Sequence, residues 1–441
     1  MSKTGNFFFY FIVLYTFSFP IFVNNLGSIG NILINGTLIL FLSPIIIKNN
    51  KYLVSQLNKN NDLLLILLLI FLYFVIIVLT IFVGSFYHDN FLILRDFYEL
   101  HKPILYILII LYIYNYFNIN TTKFNFDHIF YLIFLILIIF AYFQLDRYRS
   151  LTLLYTGENI YESERLTIPF GNPYDYAFVM TFFCIFFFYK YALSKIIFIF
   201  PFLISIYLLI ETGSRSNAFA FLITFLFFVP LLVLFSNFKM RIKFFFFLKS
   251  IILISILFFF LNSPFSEKFF EEHDMVYLQF IDFLNYGEIG ESGRNRFEQL
   301  NIIVERSLDN PMMILLGNGP TKGLELGKTS DGIIYYSEHL ESSITYIYFR
   351  YGLIGIILFT LLFLSILRIS LIVCRNLKSR LKLKVFNLSF LTWIISIPFG
   401  SIGGVFFEQP RSSFFFYLLI GIILCIKSKI KSLNHTNVKN S

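Results

Sequence analysis

Long apolar stretches separated by short polar ones set the pattern of this chain. Many of these runs approach or exceed the roughly 18–20 residues that a helix needs to cross a bilayer, and helices are the open-chain form that satisfies every backbone group inside lipid. Twelve spans fit, at roughly 5–23, 28–47, 63–84, 103–117, 128–145, 177–190, 195–210, 216–235, 244–261, 344–367, 385–407 and 412–426, the fourth and sixth being short. The pattern predicts an all-α polytopic membrane protein of about 12 transmembrane helices. One polar stretch interrupts it on a larger scale: about eighty residues, from Asn262 to Ser343, part the ninth span from the tenth. Loops of that length are uncommon and usually functional. The chain then divides into spans one to nine (1–261), a large external loop containing short helices (262–343), and the last three spans with a tail (344–441).

Composition agrees: 57% hydrophobic and 14% charged residues, with a mean hydropathy of +0.75, exclude an ordinary set of soluble domains. Charge then orients the spans through the positive-inside rule. With the N-terminus inside, 21 of the 35 basic residues fall on the cytoplasmic side, beside only two acids, Asp62 and Asp127. The other 14 basic and 24 acidic residues fall outside. Every short cytoplasmic loop carries a Lys or Arg, and the reverse orientation breaks the rule. Both termini are therefore expected in the cytoplasm and the long loop outside. The first apolar stretch lacks a small-residue cleavage site and reads as an uncleaved signal anchor. The net charge of +9 follows this topology and does not point to nucleic acid.

Candidate chemistry gathers on the external side. Basic residues inside are 17 Lys to 4 Arg, and outside 4 Lys to 10 Arg. The arginine fork binds phosphate and carboxylate bidentately and stays charged near a low-dielectric surface; ion pairing with the external acids is the plain alternative. Arg215, in the short connection Glu211-Thr-Gly-Ser-Arg-Ser-Asn217, sits at the membrane surface, where ionisable groups are costly, or snorkels there. In the long loop, Phe297, Leu300, Ile303, Val304 and Leu308 recur at helical spacing, predicting an amphipathic helix that starts after Ser292-Gly293 and ends near Asp309-Asn310-Pro311. Arg294 and Arg296 then occupy its first turn, where the helix dipole disfavours cations unless an anion binds or Glu291 or Glu298 pairs with them. The loop closes on Ser337-Glu338-His339-Leu340-Glu341-Ser342-Ser343, whose titratable groups either supply a general base or form a solvated acidic edge.

Other chemistries lack their residues. Cys184, Cys374 and Cys425 lie scattered in apolar runs, without disulfide or CxxC spacing. There is no GxxxxGK[ST], no HExxH and no regular metal-ligand spacing, and the six histidines are unpaired in sequence. No nucleotide, metal or other cofactor is expected.

Four local matches resemble the O-antigen polymerase and O-antigen ligase superfamily (Wzy and WaaL types). These are Glu164-Arg165-Leu-Thr-Ile-Pro-Phe-Gly-Asn-Pro173, Glu211-Thr-Gly-Ser-Arg215-Ser, Ser292-Gly-Arg294 followed by a helix, Pro311 and the turn GNGP, and Glu341-Ser342 followed by Gly352-Leu-Ile-Gly355. They touch roughly 145–360; the flanking spans match only as hydrophobic helices. The resemblance implies a bacterial inner-membrane glycosyltransferase that joins oligosaccharide repeat units carried on undecaprenyl diphosphate at the periplasmic face, without a metal, with a chain-length regulator protein as a further partner. It implies that Arg215, Arg294 and Arg165 hold the diphosphate and that Glu341 or His339 is the base. Counting back from Gly352, Glu341 stands where ligases carry histidine and Ser342 where they carry asparagine, while His339 lies two residues upstream. That departure favours a polymerase over a ligase, which would transfer finished polymer to lipid A-core. From another class, a flippase or transporter for lipid-linked oligosaccharide fits twelve spans equally well, but it needs polar groups at the midplane, where they are sparse here. A structural or assembly protein is the third alternative, disfavoured by the external arginines.

Overall fold

The computed structural model describes residues 3–20, 29–87, 94–119, 126–145, 155, 165–261, 291–308, 310–320, 324–328, 334–337, 340, 342–377, 381–402, 404 and 409–438. Within them the apolar runs fold as α1 (Lys3–Ser18), α2 (Ile29–Lys48), α3 (Asn50–Leu57), α4 (Asn61–Tyr87), α5 (Leu94–Tyr98), α6 (His101–Ile119), α7 (Asp127–Leu145), α8 (Pro173–Leu193) and α9 (Ile199–Glu211). Next come α10 (Arg215–Ile223), which passes through a π-helical turn (Thr224–Phe228) into α11 (Val229–Phe235), and then α12 (Met240–Leu261). Pro230, which has no N–H to donate, accounts for the π turn. The long loop contributes α13 (Glu291–Leu308), α14 (Pro311–Leu316) and strands β1 (Leu324–Lys328) and β2 (Ile334–Ser337). The chain ends with α15 (Ser343–Asn376), α16 (Leu381–Gly400) and α17 (Pro410–Val438).

Nine of the helices among the described residues are long and apolar enough to cross a membrane; Phe7–Ser18 and Ile196–Glu211 are shorter apolar helices. Each of the twelve predicted segments contains a described helix, 244–261 falling within α12, while 5–23 and 385–407 run past the ends of α1 and α16. By helix length and hydropathy this is a multi-pass membrane protein. The spans expected to be short are full helices: 177–190 grows to Pro173–Leu193 and 103–117 to His101–Ile119. Their Tyr, Asn and Lys residues lower the hydropathy but lie against protein instead of lipid. The antiparallel hairpin β1–β2, paired Leu324 with Ser337 and Lys328 with Ile334, adds a β element to the loop that the apolar periodicity did not suggest.

The bundle is built around α8, which is buried from Asp175 to Leu193. It packs on α9, α10, α12, α16 and α17. Its Phe178, Phe182 and Phe183 interlock with Trp393 of α16 and Phe415 of α17 at centroid distances of 4.6–5.8 Å. Trp393 also donates from Nε1 to the carbonyl of Phe178 at 3.0 Å. In a membrane the solvent is already apolar, so such ring packing and buried polar bonds, more than water exclusion, hold helices together.

Apart from the buried hydroxyl pair of Tyr73 and Tyr351, 3.2 Å apart midway along α4, many polar contacts gather toward the two ends, in line with the alternation of the spans. At the end expected to face the cytoplasm, Asp127 meets Lys190 of α8 at 2.5 Å, Asp62 meets Lys427, and Lys249 donates to the Tyr191 carbonyl at 3.0 Å. The two acids expected on that side are thus each paired with a lysine expected on the same side. At the other end Asn35 meets His101 at 2.6 Å, Arg411 reaches the carbonyl of Thr16 at 2.9 Å, and the remaining contacts build the site described next.

Candidate functional site

The segment ahead of α8 is held in place by Gln144, at the end of α7. Its Oε1 accepts from the amides of Thr167 (2.9 Å) and Ile168 (3.0 Å), and its Nε2 donates to the Arg165 carbonyl at 2.8 Å. Asn172 then caps α8, accepting from the Tyr174 amide at 2.8 Å with Pro173 at the first helical position. So anchored, the segment lies against the turn between α9 and α10. Leu166 donates from its amide to the Glu211 carbonyl at 2.8 Å. Arg165 donates from Nε to the Thr212 carbonyl (2.9 Å) and from Nη2 to the Gly213 carbonyl (3.0 Å), with its guanidinium 5.2 Å from the Tyr174 ring centre. Two motifs almost fifty residues apart therefore form one unit, and Arg215, exposed at the first position of α10, is carried on the braced turn.

A second unit joins the turn Gly317-Asn-Gly-Pro320 to α15. That helix is broken at Gly352, which takes φ 63° and ψ −162°. The break removes the amide partners of the preceding carbonyls. The turn supplies them: Asn318 donates to the Phe349 carbonyl from its amide (2.8 Å) and its Nδ2 (3.1 Å), and the Gly319 amide donates to the Arg350 carbonyl at 3.1 Å. The approach is so close that a Cβ on Gly317 would meet the Arg350 backbone at 2.5 Å, and one on Gly352 would meet the Leu315 backbone. Arg350 is buried, donates from Nη1 to the Pro320 carbonyl and stacks 4.1 Å from the Tyr346 ring centre. The Asn318 carbonyl in turn lies against Gly84 of α4.

The two units meet through the end of α16. The amide of Ser343, first residue of α15, donates to the Ser401 carbonyl at 2.9 Å, and its hydroxyl to the Gly404 carbonyl at 2.5 Å. Gly404 lies against Tyr174, and Gly400 against the side chain of Asn217, which belongs to the Arg215 turn and donates to Ser214 at 2.9 Å. The start of α15, the end of α16, the capped start of α8 and the start of α10 are thus joined in one polar junction at one end of the bundle, buried at Ser343, Ser401 and Asn217 and exposed at Arg215.

Of the residues singled out in the sequence, Arg165, half-buried, and Arg215, exposed, belong to this junction. Arg294 is the fourth residue of α13, which begins at Glu291, three residues earlier than expected; an acid at the first position suits the helix dipole. Its helix packs against α14 and α15, and so belongs to the second unit. The buried stripe of α13, which packs on α14 and α15, also differs from the expected one: Ile303 and Ser307 are buried, whereas Val304 and Leu308 are exposed. His339 and Glu341 lie outside the described residues; their neighbours Leu340 and Ser342 are buried.

Arg411 was not singled out, yet it closes the same end. It is buried and donates to three carbonyls: Thr16 from Nε (2.9 Å), Pro169 from Nη1 and Phe19 from Nη2. Its guanidinium lies 5.6 Å from the ring centre of Tyr155, whose hydroxyl donates to the Ser18 carbonyl. Burial raises the Tyr155 hydroxyl above its usual pKa, and Arg411 partly opposes that. Arg165 and Arg411 make no ion pair among the described residues, so backbone carbonyls take the place of the acidic partners that composition offered.

No protein-family model matches the chain, and no curated protein matches it. The fold and the site by themselves define a multi-pass helical membrane protein with an arginine-bearing polar junction at one end.

Proposed function

We propose that this protein is a surface-polysaccharide polymerase of the bacterial inner membrane, with twelve crossings, both termini in the cytoplasm and the polar junction facing the periplasm. The observation that carries the reading is convergence. The motifs that resemble the O-antigen polymerase and ligase superfamily are far apart in sequence, and their described parts meet at one end of the bundle. A membrane-embedded transporter site would instead need polar groups midway along the helices.

In this reading an undecaprenyl-diphosphate-linked oligosaccharide lies with its polyprenyl chain in the bilayer and its diphosphate at Arg215 and Arg294. Arg165 acts chiefly by bracing the turn that carries Arg215. The acceptor sugar hydroxyl attacks the anomeric carbon of the donor. One carbon–oxygen bond forms there as the bond to the diphosphate breaks, and the diphosphate leaves with the bonding electrons, its growing charge met by the arginines. Glu341 or His339 accepts the hydroxyl proton. The departure from the ligase pattern at Glu341-Ser342 favours extension over transfer to lipid A-core.

The test is the lipopolysaccharide profile of a strain deleted for the gene and complemented with wild type, Arg215→Ala, or Glu341→Gln with His339→Ala. Core bearing a single repeat unit in the deletion, unrescued by either variant at normal membrane level, is the expected result. Bare core with long polymer on the lipid carrier would make the protein a ligase. An unchanged ladder in the deletion overturns the pathway, and wild-type lengths in the double variant overturn the base.

A further inference from the structure

The cytoplasmic end carries a feature that the proposed chemistry does not use. All four arginines assigned to that side, Arg241, Arg368, Arg375 and Arg380, fall in just two connections, 236–243 and 368–384, together with Lys239, Lys243, Lys378, Lys382 and Lys384. Neither connection contains an acid, and the two acids of that side are already paired with Lys190 and Lys427 on other helices. Topology alone asks for positive charge there, and lysine meets that need elsewhere on the same face. It does not ask that every arginine fall in just two stretches of the chain.

The fold brings these two connections into contact. Asn237 donates from Nδ2 to the Arg375 carbonyl at 2.9 Å, and Lys384 donates from Nζ to the Asn237 carbonyl at 3.1 Å while lying 4.9 Å from the Phe238 ring centre. A crevice lined by Ser236, Phe238, Cys374, Lys384 and Asn387 runs along the junction. Arg368 and Arg375 are two turns apart on one face of α15, and both are exposed, as are Lys239, Arg241 and Lys382. Arg241 and Lys243 sit in the first turn of α12, and Lys382 and Lys384 in the first turn of α16, with no acid in either turn. Cations at a helix N-terminus are unfavourable unless an anion offsets them. Beside the charges stand exposed apolar side chains: Phe235 and Met240 are each 79% exposed and Phe244 65%.

We propose that this junction binds the headgroup of an anionic phospholipid of the adjoining leaflet. The arginine forks and Lys384 would take the phosphate, and Phe235, Met240 and Phe244 would lie along its acyl chains. The occupant follows from charge complementarity joined to apolar surface: a phosphate that brings its own acyl chains matches both, and a soluble anion matches only the first. This inference is independent of the activity proposed above.

The test uses the purified full-length protein in neutral detergent, with phosphatidylglycerol or phosphatidylcholine added. Bound lipid is read by native mass spectrometry and thermal stability by intrinsic fluorescence. Wild type is expected to retain and be stabilised by phosphatidylglycerol in preference to phosphatidylcholine, the preference weakening as salt rises. Arg241→Gln and Arg375→Gln are expected to lower it by roughly five-fold for each charge removed, whereas Lys51→Gln with Lys59→Gln, on the same face but outside the junction, leaves it intact. Equal retention of the two lipids by wild type, or an undiminished preference in a monodisperse Arg241→Gln, Arg375→Gln protein, overturns the proposal. Equal stabilisation by glycerol 1-phosphate overturns it too, by assigning the site to a soluble anion.

Discussion

The two ends of this bundle differ in how they hold their buried charges, although one lysine–carboxylate pair, Lys102 with Glu99, also stands at the arginine end. At one end lysines pair with carboxylates: Lys190 with Asp127 and Lys427 with Asp62. At the other, Arg165 and Arg411 direct their forks at backbone carbonyls. A lysine–carboxylate pair cancels charge and joins two helices at a point. An arginine on carbonyls keeps its charge and ties down irregular backbone, because one planar group reaches several acceptors in fixed directions. The first suits a scaffold. The second suits a surface built from loops that must hold both shape and positive potential.

The largest test of this contrast is Arg411→Leu. It strands three carbonyls at the junction of α1, the segment before α8, and α17, and should cost about 3–6 kcal/mol of stability. Thermal unfolding of the detergent-purified protein reads this, and Arg411→Lys should recover only part, since an ammonium cannot reproduce the fork. Next is Asp127→Leu, which leaves Lys190 buried without its carboxylate and should cost about 3–5 kcal/mol. Adding Lys190→Met should restore most of the loss, because an apolar pair fits the same space. If the double variant stays as unstable as the single, the pair does more than join α7 to α8. The smallest effect is expected from Arg165→Lys, about 1.5 kcal/mol for one lost charge-assisted bond. Its sharper readout is the proposed activity: if the protein is a polymerase, polymer yield should fall more than protein level, because the Arg215 turn loosens while the bundle stands.

Hydropathy alone located the helices, since each apolar run had to become one to satisfy its backbone. It placed their ends less well. The segment 385–407 was read as one span, whereas α16 stops at Gly400 and its following turn contacts Ser343. The apolar run outlasts the helix because Ile402, in the turn that follows it, continues the pattern. The hairpin β1–β2 escaped because its strands are only five and four residues long. Of the site, the motifs around Arg165 and Arg215 were legible, but their junction was not, because it is made by carbonyls of Thr212 and Gly213, which no side-chain pattern marks. Arg411 escaped for the same reason: a single arginine beside an apolar run looks identical whether it snorkels to water or binds three carbonyls within the protein. Glu341 and His339, named from the sequence, lie outside the described residues.

The junction of the GNGP turn with the break in α15 has a consequence for synthesis. The turn at 317–320 emerges from the ribosome before the carbonyls of Phe349 and Arg350 that it must cap. By then α4, which supports the turn at Gly84, is long since made, while α15 has yet to enter the bilayer. The assembling chain therefore holds one half of a clasp open until its fastening is made, and this end of the bundle acquires its final shape only as the last three helices are laid in.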